Sequence, residues 1–247
     1  RDSTLSVTNE VGGNLTNGGD IISYIFQNSG YAESSGTIVT TDLFNINELK
    51  NLSTGTITAE RITNYENAFI YNYEGGVIES TSIINRGIIE TTGTITANEI
   101  ANKSGATITN FDGGTITADS GITNEGTLTS NADGIIATVF NTGTYNVTGG
   151  TVSYNVTGAT GGTVNIETDA VTVAADTYIS QNEIYVSTGL KLLDETALKT
   201  STLIIKDGAV ISTQNDKIGT LNPDEIIIDA ATSGWTFSGF DVDLKQE

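Results

Sequence analysis

The chain contains no cysteine, no histidine and no methionine, and a single proline, Pro223, in 247 residues. Without cysteine there are no disulfides, no zinc–thiolate sites and no thiol nucleophile. Without histidine the commonest general base and the commonest transition-metal ligand are missing, so Ser-His-Asp and Cys-His catalysis are both excluded. Only carboxylates, Lys, Arg, Tyr and hydroxyls remain for chemistry. Basic residues are also scarce: 10 Lys and Arg stand against 30 Asp and Glu, a formal charge of −20. A polyanion of this size repels phosphate backbones and anionic membrane surfaces, so nucleic acid is a poor partner. Long apolar runs are absent too. The longest β-branched cluster, Ile226-Ile227-Ile228, is far short of the roughly 20 residues that cross a bilayer as a helix. The first residues lack the basic-then-apolar pattern of a secretory signal, and a start at Arg1 reads as a processed or excised chain.

What the chain does have is a repeat. Gly55-Thr56-Ile57-Thr58-Ala59 returns as Gly93-Thr94-Ile95-Thr96-Ala97, Ile70 and Asn72 as Ile108 and Asn110, and Gly75-Gly76 as Gly113-Gly114. The long unit spans about 38 residues, and glycine-anchored starts at Gly36, Gly55, Gly76, Gly93, Gly114, Gly134 and Gly150 divide it into units of roughly 19–20 residues. Thr, Ile and Val alternate within each unit, and Gly and Asn punctuate it, which reads as short strands joined by tight corners. The expected fold is all-β: a parallel β-helix, or β-solenoid, with one unit per coil. Three segments are expected. Residues 1–35 form an N-terminal cap or assembly region, 36–168 the regular solenoid, and 169–247 a less regular continuation closed by a cap around Trp235, Phe237 and Phe240. One weak helical candidate runs from Leu190 to Thr200.

Parity assigns the faces, because alternate residues of a strand point to opposite sides. Ile95, Ile100, Ile108, Ile116 and Ile122 fall inside. Asn64, Asn72, Asn85, Asn102, Asn110, Asn124 and Asn141 fall on the same inward side, at strand ends. There they are expected to form structural ladders, each amide bonding the next coil. An outward, left-handed corner position is the alternative for each. Thr, Ser, Glu, Asp and Tyr point outward.

Candidates for chemistry are sparse. Glu74 and Asp112 are equivalent across the long repeat, and two coils apart they would sit at a spacing suited to an inverting glycosidase pair, although turn acids before glycine are common for purely local reasons. No calcium-loop motif is present; Asp229, Asp241 and Asp243 offer at most a weak calcium site, and no cofactor is expected. Thr-x-Thr triplets at 56–58, 94–96, 115–117 and 127–129 resemble the flat arrays of ice-binding solenoids, but Val77-Ile78-Glu79 interrupts them. Asn14, Asn51, Asn146 and Asn155 head sequons and are the candidate glycosylation sites; Asn102 heads another but is assigned to a ladder.

The phrases Gly-Gly-Thr-Ile-Thr, Ile-Thr-Asn-Glu-Gly-Thr-Leu-Thr and Asn-Thr-Gly-Thr-Tyr-Asn-Val-Thr resemble the passenger domains of bacterial autotransporters and filamentous-haemagglutinin-type surface proteins. The resemblance covers roughly residues 36–168 and implies a secreted or cell-surface β-helix used as adhesin, scaffold or stalk. The chain departs from it in having no run of amphipathic strands like a translocating barrel. The function expected is therefore non-enzymatic and extracellular. The expected partner is another copy of the chain, in filaments or layers, or a surface or glycan ligand. A polysaccharide-binding or polysaccharide-cleaving β-helix is the alternative.

Overall fold

A computed structural model describes residues 5–192, 197–206, 209–213, 220–229 and 236–238. They form a parallel β-solenoid in which each coil contributes a strand segment to each of three faces. The first face stacks Ser6–Asn9, Ile25–Asn28 and the second half of Thr37–Asn45, and continues in parallel pairings as far as Thr220–Asp229. The second face begins with Asn14–Asn17, Tyr31–Ser34 and Glu48–Asn51. The third begins with Asp20–Ile22 and the first half of Thr37–Asn45. Long strands such as Thr94–Asn102 turn a corner and serve the third face of one coil and the first face of the next.

Stacking is in register, so like residues sit above like. Ile62, Ile83, Ile100 and Ile122 are successive partners on the first face. On the second face the same holds for Ile70, Ile89, Ile108 and Leu128. All eight are buried, and burying each such side chain stabilises the fold by roughly 1.5–3 kcal/mol. The inward columns run the length of the tube as one continuous core.

Corners come in two lengths, which explains why glycine starts are unevenly spaced. Asn85 is joined to Ile88 through Arg86-Gly87, whereas Asn64 is joined to Phe69 through four residues. The longer corners close with a hydrogen bond between the first and fourth residues, Ala68 N–H to Tyr65 O at 3.1 Å and Gly76 N–H to Tyr73 O at 2.8 Å. Their third residues, Asn67 and Gly75, have φ of 63° and 81°, as turns of this kind require. Gly93, which anchors the repeat, is glycine for a different reason. A Cβ there would collide with the Tyr73 carbonyl oxygen of the preceding coil.

Three sequence expectations are corrected. The described parts of Leu190–Thr200 are strand: Gly189–Leu192 pairs with Val171–Val173, and Ala197–Lys206 begins the next strand. Leu190 and Leu192 are buried at alternate positions, so a period of two prevails over the apparent helical spacing. The division at residue 36 falls inside an uninterrupted stack, because strands from Ser6 onward already pair in register and Phe26 and Ala32 are fully buried. The irregularity placed at residue 169 begins earlier. The third face is interrupted after Ile135–Ile136, and Gly150–Val152 starts a separate five-stranded sheet. A short 3₁₀ turn, Ala132–Gly134, lies at that interruption. Trp235 and Phe240 lie outside the described residues; Phe237 falls in the strand Thr236–Ser238.

Candidate functional site

The asparagines separate into two ladders. The first ends the first-face strands: Asn9, Asn28, Asn45, Asn64, Asn85, Asn102, Asn124 and Asn141. Each Nδ2 donates to Oδ1 of the next, at 2.7–2.9 Å, without a gap. Each also donates to a backbone carbonyl one coil on, as Asn64 does to Ile88 O and Asn85 to Thr107 O, both at 2.9 Å. The donors all point toward the C-terminal end, so the column has a polarity. The second ladder ends the second-face strands and mixes residue types: Asn17, Ser34, Asn51, Asn72, Thr91, Asn110 and Ser130. Both ladders are buried, where an unmet hydrogen-bonding group is costly; every Oδ1 of the first ladder from Asn28 to Asn141 accepts from the rung before it. The expected Asn64, Asn85, Asn102, Asn124 and Asn141 thus lie in one column, Asn72 and Asn110 in the other. Parity alone missed Asn9, Asn17, Asn28, Asn45 and Asn51, although each closes a strand whose alternate residue is apolar.

Asn51 corrects the glycosylation assignment. It is fully buried and its Nδ2 donates to Asn72 Oδ1 at 2.8 Å, so a glycan there would require breaking a rung. Asn14 is exposed, and Asn146 and Asn155 are partly so.

The carboxylates do not converge. Glu74 and Asp112 occupy equivalent exposed corners two coils apart, since Phe69–Asn72 pairs with Ile88–Thr91, which pairs with Thr107–Asn110. Among the described residues no group of three or more acids is placed to hold a metal ion. Asp241 and Asp243 lie outside those residues. The Thr-x-Thr triplets divide between faces. Those at 94–96 and 115–117 stack on the third face, while Thr127-Leu128-Thr129 belongs to the second.

The second face carries instead a strip of aromatic and charged side chains. Tyr31, Glu48, Phe69 and Ile88 form one outward column, and Glu33, Lys50, Tyr71 and Glu90 the adjacent one. Lys50 Nζ lies 5.1 Å from the Tyr31 ring centroid and 5.8 Å from that of Tyr71. It is 3.0 Å from Glu48 Oε1. Phe69 and Tyr71 stack at 6.0 Å with rings 7° from parallel, and Tyr73 follows at 6.4 Å from Tyr71. Tyr31 Oη donates to Glu33 Oε2 at 2.7 Å. That hydrogen bond raises the Tyr31 pKa, and burial raises that of Tyr71, so both phenols remain neutral donors at physiological pH. The bond to Glu48 raises the Lys50 pKa, which keeps the ammonium charged. Four rings, one cation and three carboxylates are thus brought together on the second face and its corner. From sequence, Tyr31 falls within the expected N-terminal cap or assembly region of residues 1–35. The signal that finds the strip is alignment on the ladder asparagines, which brings Tyr31, Lys50 and Tyr71 into consecutive coils. Beyond it the same columns become Thr107, Thr127, Thr144 and Thr109, Thr129, Asn146.

Comparison with protein-family models, with curated proteins and with solved structures finds no match for this chain.

Proposed function

We propose that the chain is a non-enzymatic structural or adhesive solenoid of the extracellular space or cell surface, acting as a scaffold, stalk or adhesin. The observation that carries this reading is the uninterrupted asparagine ladder from Asn9 to Asn141. The positions that recur are those that stiffen the tube, while outward residues vary from coil to coil. A continuous polar column inside an apolar core specifies register and resists sliding of one coil on another. Such a rod holds outward groups at fixed spacing, as a stalk or adhesin requires. The strong negative charge suits a soluble secreted chain. A role like that of autotransporter passengers is consistent with the Thr- and Asn-rich repeats of residues 36–168.

The test is electron microscopy and sedimentation of the purified chain, combined with retention of chain-coated beads on cell and matrix surfaces. Rods that join or adhere, without release of products from a polysaccharide panel, are expected. Non-adherent monomeric rods at all concentrations would overturn the reading. So would polysaccharide cleavage abolished by Glu74→Gln or Asp112→Asn.

A further inference from the structure

We propose that the second-face strip of Tyr31, Lys50, Phe69, Tyr71 and Tyr73 is a binding site for an uncharged saccharide, which meets Tyr31, Lys50 and Tyr71 along the stack and Phe69, Tyr71 and Tyr73 across it; the inference deepens the adhesive reading and rests on it. The argument begins with the spacing. Tyr31, Lys50 and Tyr71 stand at partnered positions on or beside three consecutive coils, which rise by about 4.8 Å each. A ligand running along the stack therefore meets one side chain after another, as a polymer of small rigid rings would.

Chemistry selects the ligand. The rings of Phe69 and Tyr71 are nearly parallel, and Tyr73 extends them past the sheet edge, where it is exposed. Tyr71 and Tyr73 each join an apolar ring to a polar hydroxyl. A pyranose ring has the matching character: C–H groups on its faces and hydroxyls around its edge. Phenols, carboxylates and an ammonium that already satisfy one another, as Tyr31 with Glu33 and Lys50 with Glu48 do, hold their places before a ligand arrives. Little ordering is then left for binding to accomplish.

Charge excludes the alternatives. Lys50 is engaged by Glu48 and two rings, and Glu33 and Glu90 stand beside it, so the strip is negative on balance within a chain of charge −20. A uronate or sulfated polymer would be repelled. A protein partner with an apolar face would have to strip water from the Lys50–Glu48 pair without replacing it, which is unfavourable. A neutral sugar leaves the pair intact and adds hydroxyl partners.

The experiment is titration calorimetry of the chain with neutral cello-, chito-, manno- and galacto-oligosaccharides, and with hyaluronan and heparin as polyanionic probes. Saturable binding of at least one neutral oligosaccharide is expected. Affinity should fall at least tenfold in Tyr71→Ala and in Tyr31→Ala, be largely kept in Tyr71→Phe, and be unchanged in Phe140→Ala, an exposed ring on the first face. Circular dichroism establishes that each variant is folded. Absence of binding to every neutral oligosaccharide would overturn the proposal, as would tighter binding of the polyanions or indifference to both alanine variants. The same variants are scored for bead retention and for rod assembly. Adhesion that survives without saccharide binding removes this site while leaving the adhesive reading; loss of adhesion and assembly in the parent chain removes that reading itself.

Discussion

Asn141 Nδ2 donates to Gln181 Oε1 at 2.7 Å, although the two residues lie two coils apart. The coil between them has Gly158 at the ladder position, partnered by register with Gln181. A Cβ at Gly158 would meet the Asn141 carbonyl oxygen, and its φ of 149° further restricts side chains. The rung is thus left empty by its own coil and filled by the longer amide of the next.

That arrangement makes the glutamine and the glycine interdependent. Gln181→Asn withdraws the amide by one methylene and should cost about 1–2 kcal/mol through the orphaned Asn141 donor. Gly158→Ala should cost at least about 2 kcal/mol, because the added carbon meets backbone rather than a side chain that can move aside. The double variant Gly158→Asn/Gln181→Asn should not recover stability. Urea-unfolding midpoints of the three variants check this; recovery in the double variant would show that an ordinary rung fits at Gly158.

A rung in mid-ladder should cost more. Asn85 receives a hydrogen bond from Asn64, donates to Asn102 and to Thr107 O, and accepts from Gly87 N–H. Asn85→Ala strands several buried groups, each worth about 1–3 kcal/mol when unsatisfied, so a loss of roughly 3 kcal/mol or more is expected. Asn14→Ala, at an exposed strand position, should fall within about 0.5 kcal/mol of the parent. Equal midpoints for the two variants would mean the ladder contributes nothing.

The solenoid itself was legible in the sequence because its period and its inward isoleucines obey one rule in every coil. Ile95 and Ile100 could be assigned by parity alone. The two-ladder arrangement was not, since Asn64 and Asn72 look alike until corner lengths place them on different faces. Leu190 to Leu192 misled because two apolar residues near two more fit a helical spacing as readily as strand alternation. The aromatic strip was hidden for the same reason as the ladders. Tyr31, Lys50 and Tyr71 are unevenly spaced, and only the alternation of short and long corners brings them together.

The mixed ladder offers a stabilising change. Ser34 and Thr91 each have one hydroxyl hydrogen, which goes to Gly36 O and Gly93 O. The next rungs, Asn51 and Asn110, consequently have buried Oδ1 atoms with no donor. An amide has two hydrogens and would serve both acceptors. The precedent is Asn85, which donates to Gly87 O and to Asn102 Oδ1 from the same nitrogen across an equally short corner. Thr91→Asn should therefore raise stability by about 1 kcal/mol. An unchanged or lowered unfolding midpoint would show that Asn110 Oδ1 is already hydrated or that the site is too tight for an amide.

The buried phenol pair predicts the response to alkali. Tyr145 and Tyr154 hydrogen-bond each other where the third face is interrupted, and both are buried. Burial raises both pKa values above that of a free phenol, since the ionised form would be left in an apolar interior. A raised folded-state pKa means that the unfolded chain releases its proton first. The stabilising contribution is present in full below the unfolded value, near 10, and is lost as pH climbs above it. Of the nine tyrosines, these two should ionise only together with unfolding, visible as tyrosinate absorbance appearing in step with loss of far-ultraviolet dichroism. Tyr145→Phe alone should destabilise at neutral pH by about 1–3 kcal/mol by leaving the Tyr154 hydroxyl without this partner, whereas Tyr145→Phe/Tyr154→Phe removes both polar groups and should lie closer to the parent. The double variant should also resist alkali to higher pH. Titration of all nine tyrosines in the still-folded chain would refute this account of the pair.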